Sequence, residues 1–282
     1  MKVGIGLPIS APEQLLAWAR AADAGPFTTL GLLDRLVYDN PEPLVALSAL
    51  AGATSRVRLQ TEVLLAPLRE PVLLAKQAAT LDRISGGRFV LGLGVGGRED
   101  DHDAVGTDLH TRGRLLDRQM VAMRRIWSGE PYSETVGPIG PRPHRTNGPE
   151  VLFGGFRPAA LARVARFGDG FLAAAPPSWI GPLIDMVRRS WIEAGRSGAP
   201  RIVAQANAAL GPQDVVDDAR AAMSAYYRFI GDRAGQMVAG MLTAPAAIRQ
   251  AIAQYAELGV DEVMLYCYGR DPGQVERIAE AL

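Results

Sequence analysis

Residues Ser55 to Arg114 read SRVRLQTEVLLAPLREPVLLAKQAATLDRISGGRFVLGLGVGGREDDHDAVGTDLHTRGR. Two strand-like runs flank a segment that opens with proline, Pro71–Ile84: Val57–Leu64, which mixes apolar and polar residues, and Phe89–Leu93, which is apolar throughout. Continuous apolar runs are typical of parallel strands covered on both faces, and proline is favoured at the first position of a helix. The segment therefore predicts a β-α-β unit. Its second strand leads into the glycine-rich loop Gly92–Gly97, where the backbone can approach a neighbouring group closely.

The same alternation continues along the chain and gives eight strand-like runs, most of them followed by a helical pattern. The predicted strands are Val3–Leu7, Thr28–Leu33, Val57–Leu64, Phe89–Leu93, Glu150–Phe153, Gly170–Ala174, Arg201–Ala208 and Glu262–Cys267. The predicted helices are Pro12–Ala24, Pro43–Ala53, Pro71–Ile84, Arg112–Trp127, Pro158–Phe167, Pro177–Ala194, Gln213–Met241, Pro245–Leu258 and Asp271–Ala281. Eight β-α units in 282 residues predict an α/β fold, a (β/α)₈ TIM barrel with a single domain over residues 1–282. The helix over 213–241 is too long for one ordinary helix and is expected to break near Ile230.

Composition excludes several classes of protein. The formal net charge is zero and no basic stripe occurs, which argues against a nucleic-acid partner. No apolar run of membrane-spanning length and no leader pattern are found, so no membrane partner is expected and the predicted location is cytoplasmic. A single cysteine, Cys267, leaves no disulfide framework. The three histidines lie far apart in sequence and show no metal-ligand spacing, so no metal site is predicted.

The chain resembles the bacterial luciferase-like family of flavin-dependent oxidoreductases, which use FMN or the deazaflavin coenzyme F420. The resemblance covers almost the whole sequence and is most specific between residues 70 and 113. The matching pieces are Glu70-Pro71-Val72, Leu74–Gln77, Ala79–Asp82, Ser85–Arg88, Leu91–Gly94, Thr111-Arg112-Gly113, Phe153-Gly154-Gly155, Pro158–Ala160, Gly168-Asp169-Gly170, Thr243-Ala244-Pro245 and Glu257–Glu262.

In a (β/α)₈ barrel the active site lies at the carboxyl ends of the strands. Small residues dominate those ends here, which suits a site that holds a large cofactor supplying the reactivity. The glycine pair before Pro158 can turn backbone amides towards a phosphate at a helix amino terminus, with Arg157 as a charged contact. The resemblance implies a non-proline cis peptide at Glu62-Val63 behind the flavin ring. The predicted cofactor-binding residues are Leu7, Glu62, Val63, Leu64, Gly94, Gly96, Gly97, Gly154, Gly155, Phe156 and Arg157.

Four side chains are candidates for a catalytic role. Asp34 either orients a neighbour or neutralises an arginine. Arg35 stands where relatives often carry histidine, and it could bind an anionic substrate group, since arginine is a poor acid or base. Glu62 replaces the small residue of many relatives; it could reach the substrate or a ring nitrogen, or pair with Arg35 or Arg98. His102 lies in the acidic stretch Arg98–Asp103, which is expected to be solvated and to open a helix. This stretch belongs to the polar loop 94–111 after the fourth strand, which could act as a lid, and His102 could transfer a proton.

The resemblance implies two mechanisms. The preferred one is a monooxygenase that takes reduced FMN from a separate flavin reductase and uses O₂ to oxygenate a small organic substrate. An apolar mouth formed by Leu7, Leu64, Phe156 and Trp179 would keep that reaction dry. The alternative is F420-dependent hydride transfer, although Arg35 and Gly97 replace the histidine and acid of the sugar-phosphate and alcohol dehydrogenases. A barrel that only binds flavin, or that serves as a partner subunit, is the alternative of another class. Relatives often pair through outer helices, so a homodimer is expected.

Overall fold

The computed structural model describes residues 1–282, and nine strands alternate with eleven helices. The strands are β1 (Lys2–Gly6), β2 (Thr29–Leu32), β3 (Arg58–Thr61), β4 (Leu64–Leu65), β5 (Phe89–Gly94), β6 (Glu150–Gly154), β7 (Gly170–Ala173), β8 (Arg201–Asn207) and β9 (Glu262–Tyr266). The helices are α1 (Leu15–Ala24), α2 (Pro43–Ala53), α3 (Pro71–Ile84), α4 (Glu99–Asp103), α5 (Arg112–Ser128), α6 (Pro158–Phe167), α7 (Pro177–Glu193), α8 (Gln213–Tyr227), α9 (Arg233–Ala239), α10 (Pro245–Glu257) and α11 (Gln274–Ala281). None of these helices combines the length and the hydropathy that crossing a membrane would require.

All strand pairs are parallel, and the sheet closes on itself. Its order is β3-β2-β1-β9-β8-β7-β6-β5-β4, and β3 also pairs with β5, which completes the ring. Because β3 and β4 are consecutive pieces of one barrel strand, the closed barrel has eight strands, here called staves. The predicted (β/α)₈ TIM barrel is confirmed, and each predicted strand coincides with a stave.

Helix starts follow the local chemistry of the sequence. Five helices (α2, α3, α6, α7 and α10) begin with proline, whose missing N–H costs nothing at that position. Glu42 and Glu70 cap α2 and α3 by accepting from the amides of Val45 and Leu73 at 2.8 and 2.7 Å. The predicted helix over 213–241 is broken as expected: α8 ends at Tyr227, a 3₁₀ turn follows, and α9 begins at Arg233.

Two apolar layers hold the fold together. The larger one fills the space between the outside of the barrel and the surrounding helices, and includes Leu7 and Leu64. The smaller one fills the barrel interior and continues into Met223 and Tyr226 of α8. Helix α8 therefore packs across part of the barrel mouth at the carboxyl ends of the strands.

A charged network closes the opposite, amino-terminal end of the barrel. Arg201 donates to Glu150 at 2.7 Å and also to Glu262, while Arg58 pairs with Glu150. Glu262 is fully buried and is also bonded by Thr28. Since an unpaired buried carboxylate is costly, this end of the barrel depends on Arg201 to compensate two carboxylates.

Replacing Arg201 by methionine should lower the free energy of unfolding by about 3 kcal/mol, because Glu262 would be left buried without its cation. Urea unfolding followed by circular dichroism measures the change. The double variant R201M/E262L should recover part of the loss. If R201M alone changes stability by no more than an exposed arginine substitution such as R189M, the network does not contribute as described.

Candidate functional site

The strand made of β3 and β4 is interrupted where it reaches the barrel mouth. Leu59 and Gln60 pair with Phe89 and Val90, whereas Leu64 pairs with Leu93. The register against β5 therefore shifts by one residue between the two pieces, as in a β-bulge. The peptide bond between Glu62 and Val63, which lies in this interruption, is cis, as expected from the resemblance. Both residues leave the pairing with β5 and become part of a cavity wall, although the Glu62 amide still donates to the Leu32 carbonyl of β2 at 2.9 Å.

A cavity of about 590 Å³ opens at the carboxyl ends of the strands, and its floor includes Glu62 and Val63. This volume is in the usual range for a small-molecule or cofactor site. A Cβ added at Gly94 would lie too close to the Val63 side chain. A Cβ added at Gly154 would lie 3.0 Å from the same side chain. The two glycines therefore let Val63 rise between β5 and β6. The sequence-predicted residues that line the cavity are Glu62, Val63, Gly94, Gly96, Gly97, Gly154, Gly155, Phe156 and Arg157.

The turn after β6 presents free backbone donors to the cavity. The amides of Gly155, Phe156 and Arg157 make no hydrogen bond within the protein, and all three residues line the cavity. Gly155 has a φ of +153°, and a Cβ there would come within 2.6 Å of the Ala160 Cβ. The turn leads directly into α6, whose amino terminus carries partial positive charge. Consecutive amides at a helix start form an anion-binding cradle.

Three arginines line the cavity, and two of them carry charge that no carboxylate compensates. Arg163 is neutralised by Asp117 at 2.6 Å, but neither Arg112 nor Arg157 pairs with a carboxylate. Arg112 instead donates to the Gly96 carbonyl at 2.9 Å and to the Leu109 carbonyl, which ties α5 to the loop after β5. The cavity end near α6 therefore carries two uncompensated positive charges, as suits a doubly charged anion.

Glu62 points into the barrel from the cavity floor and is only 3% exposed. Its Oε1 accepts from the Gln60 amide nitrogen, and its Oε2 has no partner. The Tyr266 hydroxyl lies near the carboxyl, but outside the geometry of a formed hydrogen bond. Gly31 makes room for Glu62, because a Cβ there would come within 2.6 Å of its carboxyl carbon.

Burial raises the pKa of the Glu62 carboxyl to about 8, with a further contribution from the negative charge of Glu262. Hydrogen bonding from Gln60 and the positive charge of Arg201 oppose the shift only partly. The carboxyl is therefore mainly neutral at pH 7. The expected pairing of Glu62 with Arg35 or Arg98 is wrong, because both arginines lie on the loops outside the barrel mouth and bond to Asp101 and Asp100.

Asp34 and Arg35 are both engaged by other side chains. Asp34 accepts from Arg69 at 2.6 and 3.1 Å and from the Leu65 amide at 2.8 Å, so it neutralises an arginine, one of its two expected roles. Arg35 is buried, donates to Asp101 at 2.9 Å, and lies against the rings of Tyr38 and Tyr226. It does not line the cavity, so the structure does not support Arg35 as a contact for an anionic substrate.

The loop after β5 is fastened rather than free. Asp101 accepts from the amides of Leu36 and Val37 at 3.0 and 2.7 Å, in addition to its bond with Arg35. His102 is 1% exposed and bonds to the Thr107 hydroxyl and the Val95 carbonyl. The acidic stretch opens α4 as expected and Glu99 and Asp103 are exposed, but the expectation that it is solvated is wrong for Asp101 and His102. His102 does not line the cavity, and both of its ring nitrogens are used to hold the loop, which argues against proton transfer.

Two predicted cofactor contacts, Leu7 and Leu64, lie elsewhere. Both side chains belong to the layer between barrel and helices, since alternation along a strand sends neighbouring residues to opposite faces. Leu65 lines the cavity instead of Leu64, after the register shift. Of the predicted apolar mouth, Phe156 and Trp179 remain at the rim, 47% and 46% exposed, with ring centroids 5.4 Å apart.

Sequence reasoning missed several residues of the cavity wall. Arg112 and Gly113 belong to Thr111-Arg112-Gly113, one of the pieces that carry the family resemblance. This match is the signal in the sequence that points to them, although it predicts no role for either residue. Arg163 and Gln205 carry no motif of their own and reach the cavity only through the fold. The lining residues not predicted are Leu65, Val95, Arg112, Gly113, Ala159, Ala160, Arg163, Leu172, Ala174 and Gln205.

Comparison with known proteins identifies the family of the chain. A family model described as luciferase-like monooxygenase matches residues 2–264, nearly the whole chain. The chain belongs to this family. Luciferase-like proteins are oxidoreductases that include flavin monooxygenases and F420-dependent dehydrogenases.

The curated relatives match over part of their length. An uncharacterised protein of Mycobacterium tuberculosis is 32% identical over 170 residues, which is 58% of this chain and 60% of that protein. The oxygenase component of a flavin-dependent trigonelline monooxygenase from Acinetobacter baylyi is 32% identical over 114 residues, 40% of this chain and 31% of that protein. The matched region thus spans at most about 60% of these relatives.

Solved luciferase-like structures share the whole fold. A monooxygenase from Streptomyces bottropensis superposes with a TM-score of 0.81 at 22% identity, covering 100% of this chain and 97% of that one. An F420-dependent secondary alcohol dehydrogenase gives 0.82 at 18% identity, covering 100% and 98%. The FMN complex of a type II Baeyer-Villiger monooxygenase component from Pseudomonas putida gives 0.80 at 16% identity, covering 100% and 96%. At these identities the likeness shows the fold.

Replacing Glu62 by glutamine should change how stability depends on pH. Between the ordinary pKa of 4.5 and the raised value of about 8, the folded wild type holds a proton that the unfolded chain has released. Wild-type stability therefore falls with rising pH across this window, by at most about 1.4 kcal/mol per pH unit, and the loss levels off above it. E62Q does not titrate there and should gain relative to the wild type.

Urea unfolding of both proteins at several pH values measures this difference. The exposed substitution E257Q serves as the control and should follow the wild type. Parallel pH profiles for wild type and E62Q would show that Glu62 is ionised in the folded protein.

Proposed function

We propose that the chain is a luciferase-like monooxygenase that uses reduced FMN and O₂ to oxygenate a small organic substrate. The observation that carries this proposal is the cavity end at the start of α6, where three free amides lie beside two uncompensated arginines. A phosphate monoester carries a charge between about −1.5 and −2 at pH 7 and matches this pair of positive charges. FMN ends in a phosphate monoester, whereas the phosphate of F420 is a singly charged diester.

The rest of the cavity fits the ring system of a flavin. Its volume of about 590 Å³ exceeds what a phosphate alone needs, and its wall is formed by glycines and by Val63 on the cis peptide bond. A Cβ added at Gly97 would have no atom within 4 Å, so this part of the wall leaves space for a flat group. We assign the phosphate to Gly155, Phe156 and Arg157, and the ring to the floor between Val63 and Gly97.

The protein's contribution is to bind, orient and exclude water. A reduced flavin supplies the electrons and the ring position at which O₂ reacts. Val63 and the glycines of β5 and β6 would fix the plane of the ring, while Arg112 holds the loop after β5 through the Gly96 carbonyl. Buried Tyr226 of α8 and Tyr268 close the neighbouring part of the barrel mouth. A dry pocket protects reactive species from hydrolysis.

A separate flavin reductase is the partner implied by this function. The relative from Acinetobacter baylyi is named as an oxygenase component, which implies a second component in that system. We propose the same division of labour here, with a small uncharged or weakly charged organic molecule as the substrate.

One observation favours F420-dependent hydride transfer as a second candidate. Reduction of a carbonyl group by hydride needs a proton at the oxygen, and Glu62 is a neutral carboxyl in the cavity wall. It could take the role of the histidine and acid that are absent at Arg35 and Gly97. A barrel that binds flavin without turnover is the remaining possibility of a different class.

Titration of the purified protein with oxidised FMN, reduced FMN and F420, followed by calorimetry, tests the proposal. We expect reduced FMN to bind most tightly. Binding of F420 without FMN would overturn the monooxygenase and favour hydride transfer. A folded protein that binds neither cofactor would contradict both. Binding without O₂ consumption in the presence of a reductase and a panel of organic substrates would favour the non-catalytic barrel.

Replacing Arg157 by methionine should weaken FMN binding by about tenfold, since one charged contact to phosphate is lost. Riboflavin has the same ring without the phosphate, so its affinity should not change. Calorimetric titration of the wild type, R157M and the control R189M with both ligands measures the difference. An equal loss for FMN and riboflavin would place the phosphate elsewhere.

A further inference from the structure

We propose that Glu62 and Gln205 form a recognition site for an uncharged carbonyl group, with the Glu62 carboxyl as the hydrogen-bond donor. This inference rests on the proposed function and names the chemistry that the floor of the same cavity selects. Glu62 directly follows β3 and Gln205 lies on β8, and both residues line the cavity. Neither residue belongs to the phosphate cradle at α6.

Hydrogen bonding places the acid proton of Glu62 on the oxygen that has no partner. The Gln60 amide nitrogen donates to Oε1, so Oε1 is the accepting oxygen of the neutral carboxyl. Oε2 then carries the proton, and it is buried with no partner in the protein. A buried donor without an acceptor costs about 1–3 kcal/mol, which a ligand that supplies an acceptor would recover.

The surroundings keep this carboxyl neutral from several sides. Burial is the main cause of its raised pKa, and the negative charge of Glu262 on β9 adds to the shift. Arg201, on β8, is the one cation that acts on Glu62, and it is already shared between Glu150 and Glu262. The site therefore suits an uncharged acceptor better than an anion, which would meet two nearby carboxyl groups.

Gln205 supplies a second polar group to the same floor. It is 6% exposed and its amide makes no hydrogen bond with any other residue of the protein, although it lies on the cavity wall. A primary amide provides both N–H donors and a C=O acceptor. The O–H of Glu62 can donate to a carbonyl oxygen of a ligand. The amide of Gln205 can then contact a polar group or a C–H group next to that carbonyl.

Two carbonyl groups could occupy this site: one on the ring of the cofactor, or one on the organic substrate. Both present an uncharged sp² oxygen, so titrations with the cofactors and with a separate carbonyl compound are needed to tell them apart. Either occupant should lose affinity when Glu62 ionises, because the carboxylate is an acceptor only and repels an acceptor oxygen.

The test compares ligand affinity from about pH 6 to about pH 9 in the wild type, E62Q, Q205L and the exposed control E257Q. FMN and F420 are titrated first, and cyclohexenone is then titrated as a carbonyl probe into cofactor-loaded protein. In the wild type and E257Q, affinity for the recognised ligand should fall about tenfold across this range. In E62Q this fall should be absent, while Q205L should weaken binding at every pH without altering the profile.

An infrared measurement on unmodified protein gives a second readout that needs no variant to fold. The stretching band of a protonated carboxyl group should be present near neutral pH, disappear as pH rises, and move to lower frequency when the recognised ligand binds. E62Q should lack this band.

The outcomes separate the two sources and the two proposals. A pH effect on cofactor binding assigns the site to the ring, and one seen with cyclohexenone alone assigns it to the substrate. Normal cofactor binding with the same pH profiles in wild type and E62Q, for every ligand, overturns this inference alone. A folded wild type that binds neither FMN nor F420 overturns the proposed function, and this inference with it.

Discussion

The requirement that eight staves close into a ring shapes everything at the barrel mouth. Closure is made between β3 and β5, yet the third stave carries one residue more than its neighbour can pair. The surplus is taken up at Glu62 and Val63, which leave the ladder at the level where the other strands end. The irregular backbone at this place interrupts the pairing with β5 and forms part of the cavity floor. The glycines at 94 and 154 follow from it, because only they leave room for the Val63 side chain.

The electrostatics of the molecule divide along the barrel axis. The amino-terminal end is closed by arginines and carboxylates that satisfy each other, with Glu262 fully buried among them. The mouth has an excess of positive charge at α6 and a neutral acid on the floor. In the proposed function, this distribution separates the task of holding a phosphate from that of donating a proton. The two tasks use different strands, so a substitution at one need not disturb the other.

Sequence patterns predict the fold well because its signals are local. Pro71, the apolar run before the glycine-rich loop and the glycine pair at 154–155 each indicate an element within a few residues. The side-chain partners could not be read in the same way. Arg35 and Asp101 are 66 positions apart, and His102 looks solvated in a stretch of acids, although the fold buries it. Leu64 and Leu65 are alike in sequence, and only the one-residue register shift determines which of them faces the cavity.

The clamp made by Asp101 has a consequence for how this protein could acquire new ligands. Because Asp101 fastens the loop after β5 to the loop after β2, that side of the mouth is a fixed wall whose residues support one another. The opposite rim carries Phe156 and Trp179, two half-exposed rings that contact each other and close no hydrogen-bond network. Mutations there can alter the width of the opening at little cost in stability. Divergence of substrate range among descendants of this chain should therefore accumulate at the aromatic rim, while the clamped wall stays constant.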